Sequence, residues 1–272
     1  WDPVENAALM PWLTGTAFLH SVMIQEKRNM LKIWNVVLII TTFGLTILGT
    51  FLTRSGIINS VHSFTQSEIG PAFLVYLALV LIAGFALLFK RIQMLESEYK
   101  IESVLCRENV FLAQNILLVG IAFTVLLGTT FPLLAEAVRG TKLSIQAPFF
   151  NTITAPMGYL LLILMGIGML ISWRRSSLEN LRRNFQNPII IASLGTIIIV
   201  WMLFGKNLQW GVYIIFWSAI FVTSTILFEF ARATQIKARQ IGSNIMMGLF
   251  YVISKNRRRY GGLMIHFGVV LM

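Results

Sequence analysis

The sequence is short of charge, of cysteine and of histidine. Asp, Glu, Lys and Arg make up only 12% of its 272 residues, about half of the ~25% usual in soluble domains. That leaves too little polar surface to cover a globule in water. A single cysteine, Cys106, excludes an internal disulfide and a CxxC pair, so these residues make a poor thiol–disulfide exchanger. Acidic groups are scarcer than basic ones, 11 against 22, for a net charge of +11. The sequence opens on Trp1 with no methionine and no signal peptide. Its last apolar run stops after twelve residues. An internal fragment of a longer chain is the expectation.

What is abundant is apolar sequence, 56% of residues, gathered into runs near the ~20 residues that cross a bilayer. Complete runs cover 8–24, 33–53, 72–89, 110–134, 154–173, 189–204 and 210–230, and a truncated eighth covers 261–272. The fold expected is an all-α polytopic integral membrane protein. Residues 1–272 would form a single helical membrane domain of about eight transmembrane helices, the last truncated. Alternate loops (25–32, 90–109, 174–188, 231–260) hold 18 of the 22 Lys and Arg. This asymmetry puts them in the cytoplasm and leaves residues 1–5 and the 54–71 loop outside. Arg257, Arg258 and Arg259 then read as a topology anchor, and no nucleic-acid partner is expected.

Two connections are long. Residues 90–109 carry mixed charge and suggest a surface helix. The basic 231–260 loop contains an apolar stretch, 245–253. Nine residues at 1.5 Å each cannot span ~30 Å, so an interfacial helix is expected there. Pro11, Pro132 and Pro156 fall in or near span ends, where neighbouring helices can satisfy a kink.

The three histidines carry most of the chemistry. His20 lies six residues before Glu26, about 9 Å along a helix, and His266 lies seven after Arg259, about 10 Å. Both therefore sit inside spans at matching depth near the cytoplasmic face. Ionisable groups there default to function, and two neutral imidazoles are good axial ligands for haem iron. The alternative is that each bonds a neighbouring hydroxyl or carbonyl and helps pack the bundle. His62 belongs to the outside loop with Arg54. The two could meet the iron and propionates of a haem on the membrane surface, or be ordinary solvated loop residues. The opening segment, with Trp1, Asp2, Pro3, Glu5, Asn6 and Trp12, is likewise either an aromatic belt or a wall for a flat apolar ligand with polar edges. Its acids would repel propionates and are not direct ligands to them.

Three stretches resemble a known family. WDPVENAALMPWLTGTAFLHS (1–21) resembles the end of the tryptophan-rich WWD motif and the following span of the CcmF family of cytochrome c-type biogenesis proteins. LGTFLTRSGIINSVHSF (48–64) resembles its next outside loop, and GGLMIHFGVVL (261–271) its late histidine-bearing span. A nitrite-reductase-associated paralogue shares the pattern. On this resemblance His20 and His266 hold an internal haem b. Residues 1–24 are the end of the WWD segment plus the first span. A second haem, the substrate, rests outside between two loop histidines, the later being His62 and the earlier preceding Trp1. Trp1, Asp2, Pro3, Glu5, Asn6, Trp12 and Arg54 are its surroundings.

The resemblance further implies a haem lyase. The family takes haem from a periplasmic chaperone and joins its vinyl groups to the CxxCH thiols of apocytochrome c. Thiol-reducing assembly subunits are its partners, and the b haem keeps the external haem reduced, with quinol a candidate source of electrons. Three rival readings remain open at this point. One is a haem transporter, whose polar path would have to use Gln114, Asn115 and Glu229. Another is a quinol-oxidising cytochrome b subunit. The third is an assembly subunit whose histidines only pack. A bacterial inner membrane is the expected location, with a mitochondrial inner membrane as the alternative.

Overall fold

The computed structural model describes residues 1–55, 69–97, 103–140, 143–173, 176–204 and 209–272. Among the described residues there are nine α-helices: α1 (Pro3–Arg28), α2 (Lys32–Arg54), α3 (Gly70–Lys90), α4 (Arg107–Arg139), α5 (Ala147–Leu170), α6 (Leu178–Phe204), α7 (Trp210–Gln240), α8 (Ile245–Lys255) and α9 (Arg257–Leu271). The first seven are long and apolar enough to cross a membrane, and α8 is a shorter apolar helix. The chain divides into two compact units. One comprises 1–102 and 111–158, the other 103–110 and 159–272.

In the first unit, α1 and α2 form a hairpin whose seam repeats every seven residues. Asn29 closes α1 in the left-handed conformation (φ 52°), and its N–H reaches the Gln25 carbonyl, a conformation that asparagine tolerates better than most residues. With so short a turn the two helices must lie antiparallel. Ser21 meets Asn35 through a hydrogen bond donated by its hydroxyl. Thr42 donates to Thr14 at 2.8 Å, and Gly49 lies against Ala7. Each step moves seven residues along both helices, the period that keeps one seam in contact. Small and hydroxylated residues at these points let the backbones approach, as membrane helix pairs require.

Pro11 explains the closest approach. Proline has no N–H, so the Ala7 carbonyl loses its usual helical donor at position 11. Gly49 faces that oxygen, and a Cβ there would come within 3.1 Å of it. The exposed carbonyl and the absent side chain thus occupy the same point of the seam. The α2–α3 contact uses the same device twice. Gly44 receives Leu81 of α3, and Gly84 of α3 receives Ile40 of α2.

The α1–α4 pair runs antiparallel too, fixed at one end by Asn6, which donates to the Thr129 hydroxyl at 3.1 Å, and near the other by the edge of His20 on Phe111. The second unit packs α5, α7, α8 and α9 around Met165, Val222, Ile226, Val252, Tyr260 and Leu263. Helix α8 lies against the end of α7 at Gly248, where a Cβ would come within 2.8 Å of the Thr234 carbonyl.

Two expectations change. Residues 90–109 form no continuous helix in the described stretch: a 3₁₀ turn covers Ile92–Leu95 and α4 begins at Arg107. A charged segment without an apolar stripe to pack has little to hold an isolated helix together. The arginine run is no loop either, because α9 starts at Arg257 and takes all three arginines into its first turn.

Because the Gly49 site is filled by the α1 backbone, Gly49→Leu should destabilise the full-length protein by about 1–3 kcal/mol, the usual cost of overpacking. A melt in detergent measures this. A wild-type melt would mean that the seam does not close as described.

Candidate functional site

The chain begins with a helix start signal. Asp2 caps α1, its carboxylate accepting from the N–H groups of Val4 at 2.8 Å and Glu5 at 3.4 Å. Pro3 follows as the first helical residue and Glu5 completes an acidic first turn, each favoured at a helix N-terminus. The Asp2 carboxylate is therefore engaged in building the helix. Its sequence pattern, Asp-Pro-x-Glu, is a recognised N-terminal signature and could have been read as one.

Helical geometry then sorts the opening residues onto two faces. Glu5, Ala8 and Trp12 share one face by their spacing of three and four, and Trp1, just ahead of the cap, lies beside them. The two tryptophans are 43% and 55% exposed. Together with Asn6 and Leu9 they line a recess of about 560 Å³, with Ala8 leaving room between the rings. The other face, Asn6, Ala7, Met10, Leu13, Thr14 and Ala17, is buried. Trp1 is held in place, its indole N–H donating to Asn151 at 2.7 Å and its ring stacked on Phe150 at 4.8 Å. Phe150, Asn151 and Thr129 are partners that no local sequence pattern announces. By the charge asymmetry this recess lies at the outer end of α1.

His20 sits near the opposite end of the same helix, half-buried, with its ring edge-on to Phe111 at 5.5 Å. Its Nδ1 is 2.8 Å from the Thr16 carbonyl oxygen. A carbonyl only accepts, so Nδ1 carries the proton and donates, which leaves the lone pair of a neutral ring on Nε2. His266 repeats this arrangement in the second unit, with Nδ1 2.6 Å from the Gly262 carbonyl. In each case the acceptor is the carbonyl four residues back on the same helix. This is the outer contact that fixes the tautomer and orientation of a metal-ligating imidazole. Each imidazole by itself is a donor of the kind that ligates haem iron.

Arg54 ends α2 and is exposed. His62 lies outside the described residues. Of the groups a polar transport path would have needed, Glu229 forms an ion pair with Arg259. Asn115, fully buried, has no hydrogen-bond partner for either end of its amide among the described residues, and the Gln114 carbonyl has none either. Among the described residues no cluster of three or more His, Cys, Asp or Glu could hold a metal ion. Cys106 is buried, its thiol donating to the Ser103 carbonyl, and burial pushes its pKa up. A thiol kept protonated in this way is a poor nucleophile.

Known proteins resemble this chain over much or all of its length. The family model described as cytochrome C assembly protein matches residues 1–58, the stretch from the recess through the α1–α2 hairpin. The cytochrome c-type biogenesis protein CcmF of Pseudomonas aeruginosa is 35% identical over 272 residues, all of this chain and 40% of the relative. The probable cytochrome c-type biogenesis protein NrfE of Escherichia coli is 35% identical over 201 residues, 73% of this chain and 34% of the relative. A solved structure described as cytochrome c heme lyase CcmF superposes with a TM-score of 0.72 at 31% identity, covering 100% of this chain and 38% of that one. The chain thus spans about two-fifths or less of the length of these proteins. With the tryptophan recess, the seam and the histidine-bearing helices in the same chain, it belongs to the CcmF family of cytochrome c-type biogenesis proteins.

Proposed function

We propose that this chain is part of a haem lyase that matures c-type cytochromes at the outer face of a bacterial inner membrane. The observation that carries the reading is the pair of histidines, each with its Nδ1–H given to the carbonyl four residues back, which puts the lone pair of a neutral ring on Nε2. His20 and His266 are the axial ligands of a resident haem b, and that group supplies one-electron chemistry when bound. The role of the protein there is to fix two imidazoles in one tautomer and to exclude water.

The substrate haem is a different molecule at the outer end. The recess lined by Trp1, Glu5, Ala8 and Trp12 offers it two aromatic rings, with Ala8 between them so that a flat ring can approach. Arg54, at the end of α2, supplies a cation, and His62, further along the sequence, an iron ligand. At this site a thiol of the apocytochrome CxxCH adds across a haem vinyl group. One C–S bond forms at one vinyl carbon and the thiol proton passes to the other, with no net oxidation. Catalysis is then mainly the holding of vinyl and thiol together, with the iron kept reduced. The apocytochrome, a haem chaperone and thiol-reducing assembly subunits are the partners, and quinol is a candidate electron source.

Trp12 tests the outer site, since it is exposed and its loss leaves no cavity in the core. In full-length protein, Trp12→Ala should lower holocytochrome c output about two- to tenfold, the equivalent of the ~0.5–1.5 kcal/mol of one lost ring stack, with an unchanged melt. Haem staining of a reporter c-type cytochrome measures this. Wild-type output would take the tryptophan face out of the haem path. By the same assay His62→Ala should abolish output while leaving any internal haem in place, and full output would remove His62 from the site.

A further inference from the structure

One face of α9 carries more than His266. Residues seven apart on a helix differ by only ~20° in direction, so Arg259 lies beneath His266, about 10 Å toward the cytoplasmic end. Between them on that face is Gly262, where an added Cβ would meet nothing within 4 Å. The buried face, Tyr260, Leu263 and the partly buried Phe267 and Val270, is turned toward the core of the second unit. The half-buried His266 thus has room beside it at Gly262 and a guanidinium at the end of the same face.

Arg259 is not free to wander. Glu229 of α7 accepts one of its N–H groups, and the Tyr260 ring beside it packs on Phe230 at 5.0 Å. One carboxylate leaves most of a five-donor fork unused. Arg107, at the start of α4, lies within electrostatic reach of both Arg259 and Glu229. Its Nη2 donates to the Met169 carbonyl at 3.0 Å, while its buried Nε has no partner among the described residues. Glu108 acts on Arg107 as Glu229 does, so the two cations face two anions; Arg259 is suited to a further carboxylate by its unused donors and by its place beneath His266. Positive side chains in the first turn of a helix also oppose its dipole, so a second anion beside Arg259 relieves a local repulsion.

We infer that Arg259, oriented by Glu229, receives a propionate carboxylate of the haem ligated by His266, with Gly262 leaving room for the macrocycle between them. This anchor rests on the internal-haem reading proposed above. The bond is a charge-assisted one between guanidinium and carboxylate, for which arginine is better shaped than lysine. It adds one positive charge close to the iron, which disfavours the oxidised state and raises the reduction potential. Glu229 acts through Arg259 and is a positioning residue that works in the opposite electrostatic sense.

Redox potentiometry of the full-length protein, followed at the b-type α band, tests this. Arg259→Gln should shift the midpoint to lower potential, Glu229→Gln to higher potential, and Arg259→Lys should fall between the wild type and Arg259→Gln. Gly262→Leu should lose the band without loss of folding, whereas Gly261→Leu, also with room for a side chain but turned ~100° away around α9, should keep it. Unchanged midpoints in both charge variants would overturn the anchor, and so would a shift in the same direction in both, since a purely structural ion pair responds alike to losing either partner. A wild-type protein with no b-type band would overturn the internal-haem reading itself, and that result is distinct from a band whose midpoint ignores Arg259.

Discussion

No water reaches the hydrocarbon core of a bilayer, so every polar group placed there must find its partner within the protein. That constraint accounts for most of the polar sequence in these helices. Thr14, Thr124, Thr154, Thr196 and Ser218 return their hydroxyls to carbonyls of their own helices. Asn6 spends its amide on Thr129, and Asn35 spends its own on Ser21 and Gln25. Interhelical bonds of this kind contribute only about 0.6–2 kcal/mol each. What they add beyond that is register, because a polar group in the wrong place has no alternative partner. The two histidines obey the same rule, each bonding the carbonyl four residues back through Nδ1.

Helix α1 shows how one segment carries two tasks. Its inner face is a seven-residue repeat of Ala7, Thr14 and Ser21 that locks it to α2, and its outer face is the tryptophan stripe. Asp2 starts the helix that carries Trp12, and Phe150 and Asn151 hold Trp1 beside it. Stability and site therefore share the same few turns. A change at the seam moves the recess, and this is why the exposed Trp12 is a cleaner probe of chemistry than any seam residue.

Much of this was legible in the sequence, and the rest was not for physical reasons. The spans follow from apolar length alone, and α8 was recognisable as too short to cross. The matching depth of His20 and His266 is counted from the nearest charges in the sequence and belongs to the proposal. The seven-residue seam was there to be read, as was the Asp-Pro-x-Glu cap, although both hide among small and polar residues that a hydropathy pattern treats as noise. The Asn6–Thr129 and Trp1–Asn151 contacts join residues more than 120 positions apart, and no local spacing encodes them. The Arg259–Glu229 pair is similar: each residue looks like an ordinary charge at a helix end until α7 and α9 are packed together. The surface helix expected over 90–109 failed because charge pairing without a buried face does not hold a helix.

The central claim is that His20 and His266 are iron ligands rather than packing residues. A reduced-minus-oxidised optical spectrum of the purified full-length protein, recorded beside His20→Ala and His266→Ala, tests it most directly. The account requires a b-type α band in the wild type that is lost in each variant while the helical content is kept. A band that survives both substitutions, or that is missing from the wild type, would return both histidines to packing and contradict the account.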